Sequence, residues 1–133
     1  MEKPHAVVSA LININNKVLL IKRGGNVYKH YWALPGGMID TMEEPDDAIT
    51  REVFEETGYK FIPVQIVCAY LIIYNPKNNK YAHTSIDIVY KGSVNKKSKV
   101  KDEKEIEDID TFSINNLPKR IAFGHRRVIN NYF

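Results

Sequence analysis

The chain has 133 residues, of which 44% are apolar and 26% charged, and it carries a net charge of +3. That length suits one domain on the usual scale of roughly 100–200 residues, and the composition excludes disordered, collagen-like and disulfide-stapled chains. The modest positive balance gives no ground for a nucleic-acid partner, and the longest mostly apolar run, 61–74, is broken by Pro63 and Gln65 and falls short of the roughly 20 residues a membrane span needs.

In chain order, Met1-Glu2-Lys3-Pro4-His5 lacks the basic patch and apolar core of a secretory leader, so a cytoplasmic location is expected. Residues 5–14 (HAVVSALINI) and 17–22 (KVLLIK) are apolar and β-branched, and Asn15-Asn16 between them is a turn signal, which predicts a strand pair. A loop over 23–31 leads to Trp32-Ala33-Leu34, and Pro35-Gly36-Gly37 then predicts a sharp turn whose backbone is open to a ligand. Over 45–57 the pattern turns helical: Pro45 suits the first turn, Asp46 and Asp47 suit the positive end of the dipole, and Gly58 suits the position just past the last turn. Residues 61–74 and 81–91 predict two long strands joined by a turn over 75–80, with Cys68 a small buried hydrophobe rather than a reactive thiol. A solvated lysine-rich loop (Lys91, Lys96, Lys97, Lys99, Lys101, Lys104) follows, then a short strand over 106–112, a turn of helix over 114–117 and a C-terminal helix over 123–132. Strands mixed with two helical segments, and no repeat or linker, predict a single domain over 1–133 with one mixed sheet covered by helices on both faces.

The helix over 45–57 carries the chemistry. At about 100° per residue, Glu52, Glu55 and Glu56 share one arc, while Ile49, Val53, Phe54 and Thr57 fall on the other side, facing the sheet. Like charges at these spacings cost a few tenths of a kcal/mol per pair in an isolated helix, a penalty that a bound cation would relieve. The carboxylates by themselves leave open the commoner reading, a solvated acidic face.

Spacing adds what the carboxylates lack. Gly37 is followed by five residues and Glu43, then by seven residues and Arg51-Glu52-Val53-Phe54-Glu55-Glu56-Thr57-Gly58-Tyr59. This segment, 37–59, resembles the Nudix box, G-x5-E-x7-R-E-U-x-E-E-x-G-U with U bulky and apolar. Seven fixed identities at typical frequencies of about 6% give a chance match of roughly three in a billion per register. Leu34-Pro35-Gly36-Gly37 is similar to the family's L-P-G-G segment, and 105–118 (EIEDIDTFSINNLP) to its late strand and F-S-x-x-x-L-P turn. Met42 in place of a common glycine, Tyr59 in place of an aliphatic residue and Thr111 in place of a common tryptophan depart from the pattern, and they bear on loop shape rather than on a ligand.

The resemblance implies an α/β/α sandwich with a mixed β-sheet between helices, in a MutT-like hydrolase. Such an enzyme cleaves the diphosphate linkage of a nucleoside diphosphate derivative, whether nucleoside triphosphate, nucleotide sugar or ADP-ribose, using Mg²⁺ with Mn²⁺ as a substitute. Carried over by position, Glu52 and Glu56 resemble the main metal ligands, Glu55 a further one and the Gly36 carbonyl a backbone ligand. Mg²⁺ favours such oxygens and keeps room for waters and substrate phosphates. Glu43 and Arg51 resemble a pair that fixes how the helix meets Gly36-Gly37, and Arg23 and Gly37 resemble positions that meet substrate phosphate. In the family a glutamate on the loop before the late strand often approaches the metals, which would place a second carboxylate to act as base. Glu105 is the nearest match, Glu103 and Glu107 are rivals, and Glu52 is the base if none of the three acts.

The partner implied is a small nucleotide, with no membrane or nucleic acid, and the chain a monomer or homodimer. Arg23 reads equally as a solvated end-of-strand cation, Trp32, Tyr28 and Tyr31 as packing residues rather than base-stacking ones, and His83 as structural rather than catalytic. The family's downstream markers for ADP-ribose, a proline about 15 residues on, and for dinucleoside polyphosphates, a tyrosine about 16–18 on, do not fit: counted from Tyr59, Tyr74 stands at 15 and Pro76 at 17. A non-catalytic nucleotide-sensing module on the same fold is the alternative function, and the complete box favours the enzyme over it.

Overall fold

A computed structural model of the chain describes residues 3–98 and 105–133; Glu103 and the lysines Lys99, Lys101 and Lys104 lie outside the described residues. The elements in order are β1 (His5–Leu11), β2 (Asn13–Ile14), β3 (Lys17–Arg23), β4 (Trp32–Ala33), β5 (Gly36–Met38), α1 (Pro45–Thr57), β6 (Tyr59–Tyr74), β7 (His83–Lys97), β8 (Ile106–Phe112), a 3₁₀ turn (Ile114–Asn116) and α2 (His125–Tyr132). One sheet has the order β5-β1-β7-β6, with β1 parallel to β7 and the other pairs antiparallel, so it is mixed. The remaining strands form an antiparallel ladder, β2-β3-β4, with β8 also paired to β3.

Side-chain alternation along the strands decides which helix covers which face. Val8, Ala10, Ile12 and Tyr90 cluster with Ala48, Ile49 and Val53 of α1. Leu11 and Val89, one residue out of phase, cluster with Val128 and Ile129 of α2. A helix thus closes each side, which is the expected sandwich. Burying Ile49 and Val53 completely contributes about 1.5–3 kcal/mol each. The turn geometry at the end of α1 also follows expectation: Gly58 has φ 78° and its N–H donates to the Phe54 carbonyl at 2.9 Å.

Other local expectations change. Pro35-Gly36-Gly37 does not form a turn, because Gly36–Met38 is a strand in which Gly36 lies opposite Ser9 and Gly37 opposite Val8. Its residues have almost no side chains to carry an alternating pattern, so periodicity could not announce it. The strand expected over 81–91 extends to Lys97, because β6 begins at Tyr59, directly after α1, and pairs Tyr59 with Lys97. Lys91 and Lys97 therefore belong to a strand rather than a loop. The strand expected over 5–14 is interrupted at Ile12, and α2 starts at His125 because Gly124 adopts φ 78°. Cys68 is only half-buried. Among the described residues no helix is long and apolar enough to cross a membrane.

Candidate active site

β5 packs between β1 and α1, and there the acidic face of the helix meets the paired glycines. The Gly36 N–H donates to Glu56 Oε1 at 2.7 Å. A methyl group on Gly37 would lie 2.5–2.6 Å from the Glu52 carboxylate, so it is the missing side chain at 37 that lets Glu52 lie against the strand. Gly37 is not in the left-handed region; the requirement is space and not backbone freedom.

Arg51 ties the cluster together. Its Nε and Nη2 donate to the two oxygens of Glu43 at 2.8 and 2.9 Å, a bidentate pair. Nη1 reaches Glu52 at 3.0 Å and Glu55 at 3.3 Å, and Nη2 also donates to the Met38 carbonyl of β5 at 3.0 Å. The guanidinium, helped by the Asp40 N–H at 3.0 Å, holds the Glu43 carboxyl down at about 2, and Glu43 in turn raises Arg51 above its ordinary value. Arg51 is thus far more than a surface cation paired with Glu55.

Glu56 turns toward β5, where it accepts the Gly36 N–H. Burial pushes its carboxyl well above the usual range; Glu52 and Glu105 push the same way, against the Gly36 N–H and Arg23. Burial also raises Glu52, with Arg51 opposing. Among the described residues no three acidic or histidine side chains already converge as a cation shell, since Arg51 holds Glu52 and Glu55 while the Gly36 amide holds Glu56. The donor set, Glu52, Glu55, Glu56 and the Gly36 carbonyl, is nonetheless all hard oxygen, and a divalent cation would offset the burial of two neighbouring carboxylates.

Arg23 stands at a bulge where β3 meets β8, with Lys22 opposite Asp108 and Arg23 opposite Ile106. Its Nε donates to the Val27 carbonyl at 2.8 Å and its guanidinium lies 4.7 Å from the centre of the Phe123 ring. Burial lowers its pKa, while Glu56 and Glu105 act in the opposite sense. The charges of Arg23, Glu56 and Glu105 therefore share one neighbourhood. Glu107 instead faces His30 at 2.8 Å. Of the two described candidates for a loop base, Glu105 is the one whose field reaches Glu56.

Beside the glycines lies a cavity of about 570 Å³, whose lining includes Arg23, Gly36, Gly37, Tyr81, His83 and Phe123. Trp32, Tyr28 and Tyr31 do not line it: Trp32 packs edge-on against Phe112 at 4.8 Å, and Tyr28 packs on Tyr31, Tyr74 and Phe123. His83 does line it, stacked on His5 at 5.3 Å with Nδ1 2.5 Å from the Tyr81 carbonyl. Sequence reasoning missed Phe123, Ser9, Asp87 and His125. A signal existed for Asp87, which is a charged residue within an apolar strand run, Ile86-Asp87-Ile88-Val89.

Comparison with known proteins agrees with this geometry. The family profile described as "NUDIX domain" matches residues 3–132. The ADP-ribose pyrophosphatase of Methanocaldococcus jannaschii is 35% identical over 130 residues, an alignment covering 97% of this chain and 73% of that protein. The crystal structure of a MutT NUDIX hydrolase from Burkholderia pseudomallei superposes with a TM-score of 0.87 at 25% identity, covering 99% of this chain and 100% of that one. That of a MutT protein from Methanosarcina mazei Go1 gives 0.75 at 26% identity, covering 98% and 94%.

Proposed function

This chain belongs to the NUDIX domain family of hydrolases, and from that premise we propose that it splits the diphosphate linkage of a nucleoside diphosphate joined to a second group, in a reaction dependent on a divalent cation. The observation that carries this reading is the single connected cluster in which Arg51 joins Glu43, Glu52, Glu55 and the β5 backbone, while Glu56 is held by Gly36. The relative from Methanocaldococcus jannaschii makes ADP-ribose the first substrate to test.

Glu52, Glu55, Glu56 and the Gly36 carbonyl would hold the cation, Mg²⁺ by the hardness of its donors with Mn²⁺ as a substitute. When bound, it supplies neutralisation of the diphosphate and a lowered pKa for a water. The protein's own part is positional. Arg51 and Glu43 lock α1 to β5 so that the carboxylates, Glu52 lying against Gly37, keep a fixed relation to the β5 backbone along which a phosphate would approach. Arg23, steadied on the Phe123 ring, offers a guanidinium to a phosphate oxygen. Glu105 takes the proton of the attacking water; a carboxylate committed to a cation has its pKa lowered and is a poor base, which disfavours Glu52 in that role.

The test is a panel of ADP-ribose, nucleotide sugars and nucleoside triphosphates with Mg²⁺, read by chromatography of the products. Release of a nucleoside monophosphate from at least one compound is expected. Binding without turnover of any of them, with Mg²⁺ or Mn²⁺, would defeat the proposal in favour of a sensing module.

A further inference from the structure

Asp87 is fully buried on β7 among the residues that line the 570 Å³ cavity, and its Oδ1 has no hydrogen-bond partner in the protein. Native proteins pair nearly all such atoms, so an orphaned carboxylate oxygen beside a cavity calls for a donor that arrives from outside. Its neighbours fix the polarity of the site. His125 Nδ1 accepts the Leu34 N–H at 3.0 Å, which places the imidazole proton on Nε2, and Nε2 donates to Asp87 Oδ2 at 3.2 Å. Ser9 Oγ donates to the same Oδ2 at 3.0 Å. Ser9 and His125 thus both donate to Oδ2, and neither reaches Oδ1. The Tyr70 hydroxyl also stands beside Asp87: it donates to the Phe123 carbonyl at 3.2 Å, and burial, the Asp87 charge and a hydrogen-bonding approach to that carboxylate together push its pKa up.

The cavity walls say what kind of donor fits. The aromatic residues Phe123, Tyr81 and His83 line it, Phe123 beneath the Arg23 guanidinium and His83 stacked on His5, and Arg23, Gly36 and Gly37 line the same space beside the acidic cluster. Aromatic walls favour a heteroaromatic ring, and a buried acceptor favours a ring edge that carries N–H. We propose that Asp87 determines base specificity: its Oδ1 accepts a hydrogen bond from the exocyclic amino group of a nucleobase lodged between these rings, so the protein selects amine-bearing nucleotides. The proposal rests on the nucleotide-hydrolase reading, but it concerns recognition and can be measured without turnover.

Two matched pairs isolate the amine. ADP is compared with the diphosphate of purine riboside, in which hydrogen replaces the 6-amino group, and GDP with IDP, which lacks the 2-amino group. Calorimetric titration of the whole protein should show at least about tenfold tighter binding of the amine-bearing member in one pair. No preference in either pair, or a preference for the amine-free member, would overturn the proposal and assign Oδ1 to an ordered water. Asp87→Asn sharpens the test. Ser9 and His125 both donate to Oδ2, so the carboxamide oxygen must occupy that position and its NH₂ must face the cavity. The wild-type preference should then fall to about one or invert, and retention of the full preference by a folded variant would refute the assignment. If the variant does not fold, the wild-type comparison decides alone. A persistent amine preference in a protein that hydrolyses nothing would sink the hydrolase reading and leave this one standing; turnover without preference would do the reverse.

Discussion

Replacing Gly37 by alanine asks whether β5 is glycine for the sake of Glu52. The new methyl would lie 2.5 Å from Glu52 Cδ and 2.6 Å from each carboxylate oxygen, against an ordinary contact near 3.5 Å, so the carboxylate must retreat by about 1 Å. For the fold this is a mild demand, because the obstructing group is the far end of a flexible side chain and an off-rotamer torsion costs about 0.5–1.5 kcal/mol. For catalysis it is severe, since a misplacement of about 1 Å can cost about 100-fold, equivalent to about 2.7 kcal/mol of transition-state stabilisation. Steady-state kinetics with Mg²⁺ should therefore show kcat/KM down about 100-fold while thermal melting moves by only a few degrees. Gly36→Ala is the contrasting control: its methyl would strike the Val8 carbonyl oxygen and approach Ser9 Cα to 2.9 Å, backbone atoms of the β1–β5 ladder that cannot step aside, so the fold itself should suffer. A Gly37→Ala protein with more than about a third of wild-type activity, or equal destabilisation by both substitutions, would refute the reasoning.

Glu56→Gln preserves an acceptor for the Gly36 N–H but removes a carboxylate whose folded pKa lies above its unfolded value near 4.5. Ionised Glu56 thus detracts from stability above that pH, so the metal-free variant should melt higher at pH 7 and lose its advantage below about pH 4.5, a shift readable in melting curves taken across pH. Glu43 has the opposite sign: its pKa is held at about 2, so its contribution is present above about 4.5 and fades as pH falls toward 2. Glu43→Gln should flatten the acid side of the stability profile, and an unchanged profile would show that the Arg51 pair does not act on folding. Glu105→Gln should lower kcat by at least about 100-fold with KM nearly constant, whereas Glu107→Gln, already paired with His30, should leave kcat alone; the reverse result would reassign the loop base.

The helix was legible because everything that fixes it is local: Pro45 at its start, Gly58 at its end, apolar residues at helical spacing and carboxylates on the opposite arc. The Glu43–Arg51 pair was equally legible, since the motif's spacing already implied two partners eight residues apart. β5 was not, because a strand of Gly36, Gly37 and Met38 is stabilised by its neighbours and carries no pattern of its own. The same holds for the cavity. Ser9, Asp87 and His125 come from β1, β7 and α2, and only the parallel pairing of β1 with β7, Val7 opposite Asp87 and Ser9 opposite Val89, brings the first two together. Glu56 shows the limit of a helical wheel. Its arc was placed correctly, but a wheel does not reveal that β5 lies over that arc and partly buries the carboxylate.

On the proposed mechanism the carboxylates of α1, held against β5, act on a diphosphate together with a divalent cation. Its most direct measurement is a titration of Mg²⁺ into metal-free protein at a fixed concentration of ADP-ribose, or of the best substrate from the panel, with wild type and Glu56→Gln run side by side and the released nucleoside monophosphate quantified. Turnover should be absent without metal, rise to saturation with Mg²⁺ in the wild type, and stay below about a tenth of that level in Glu56→Gln at every concentration, a loss of more than about 1.4 kcal/mol in transition-state stabilisation. Metal-independent turnover, or a Glu56→Gln protein that matches the wild type at saturating Mg²⁺, would contradict the account.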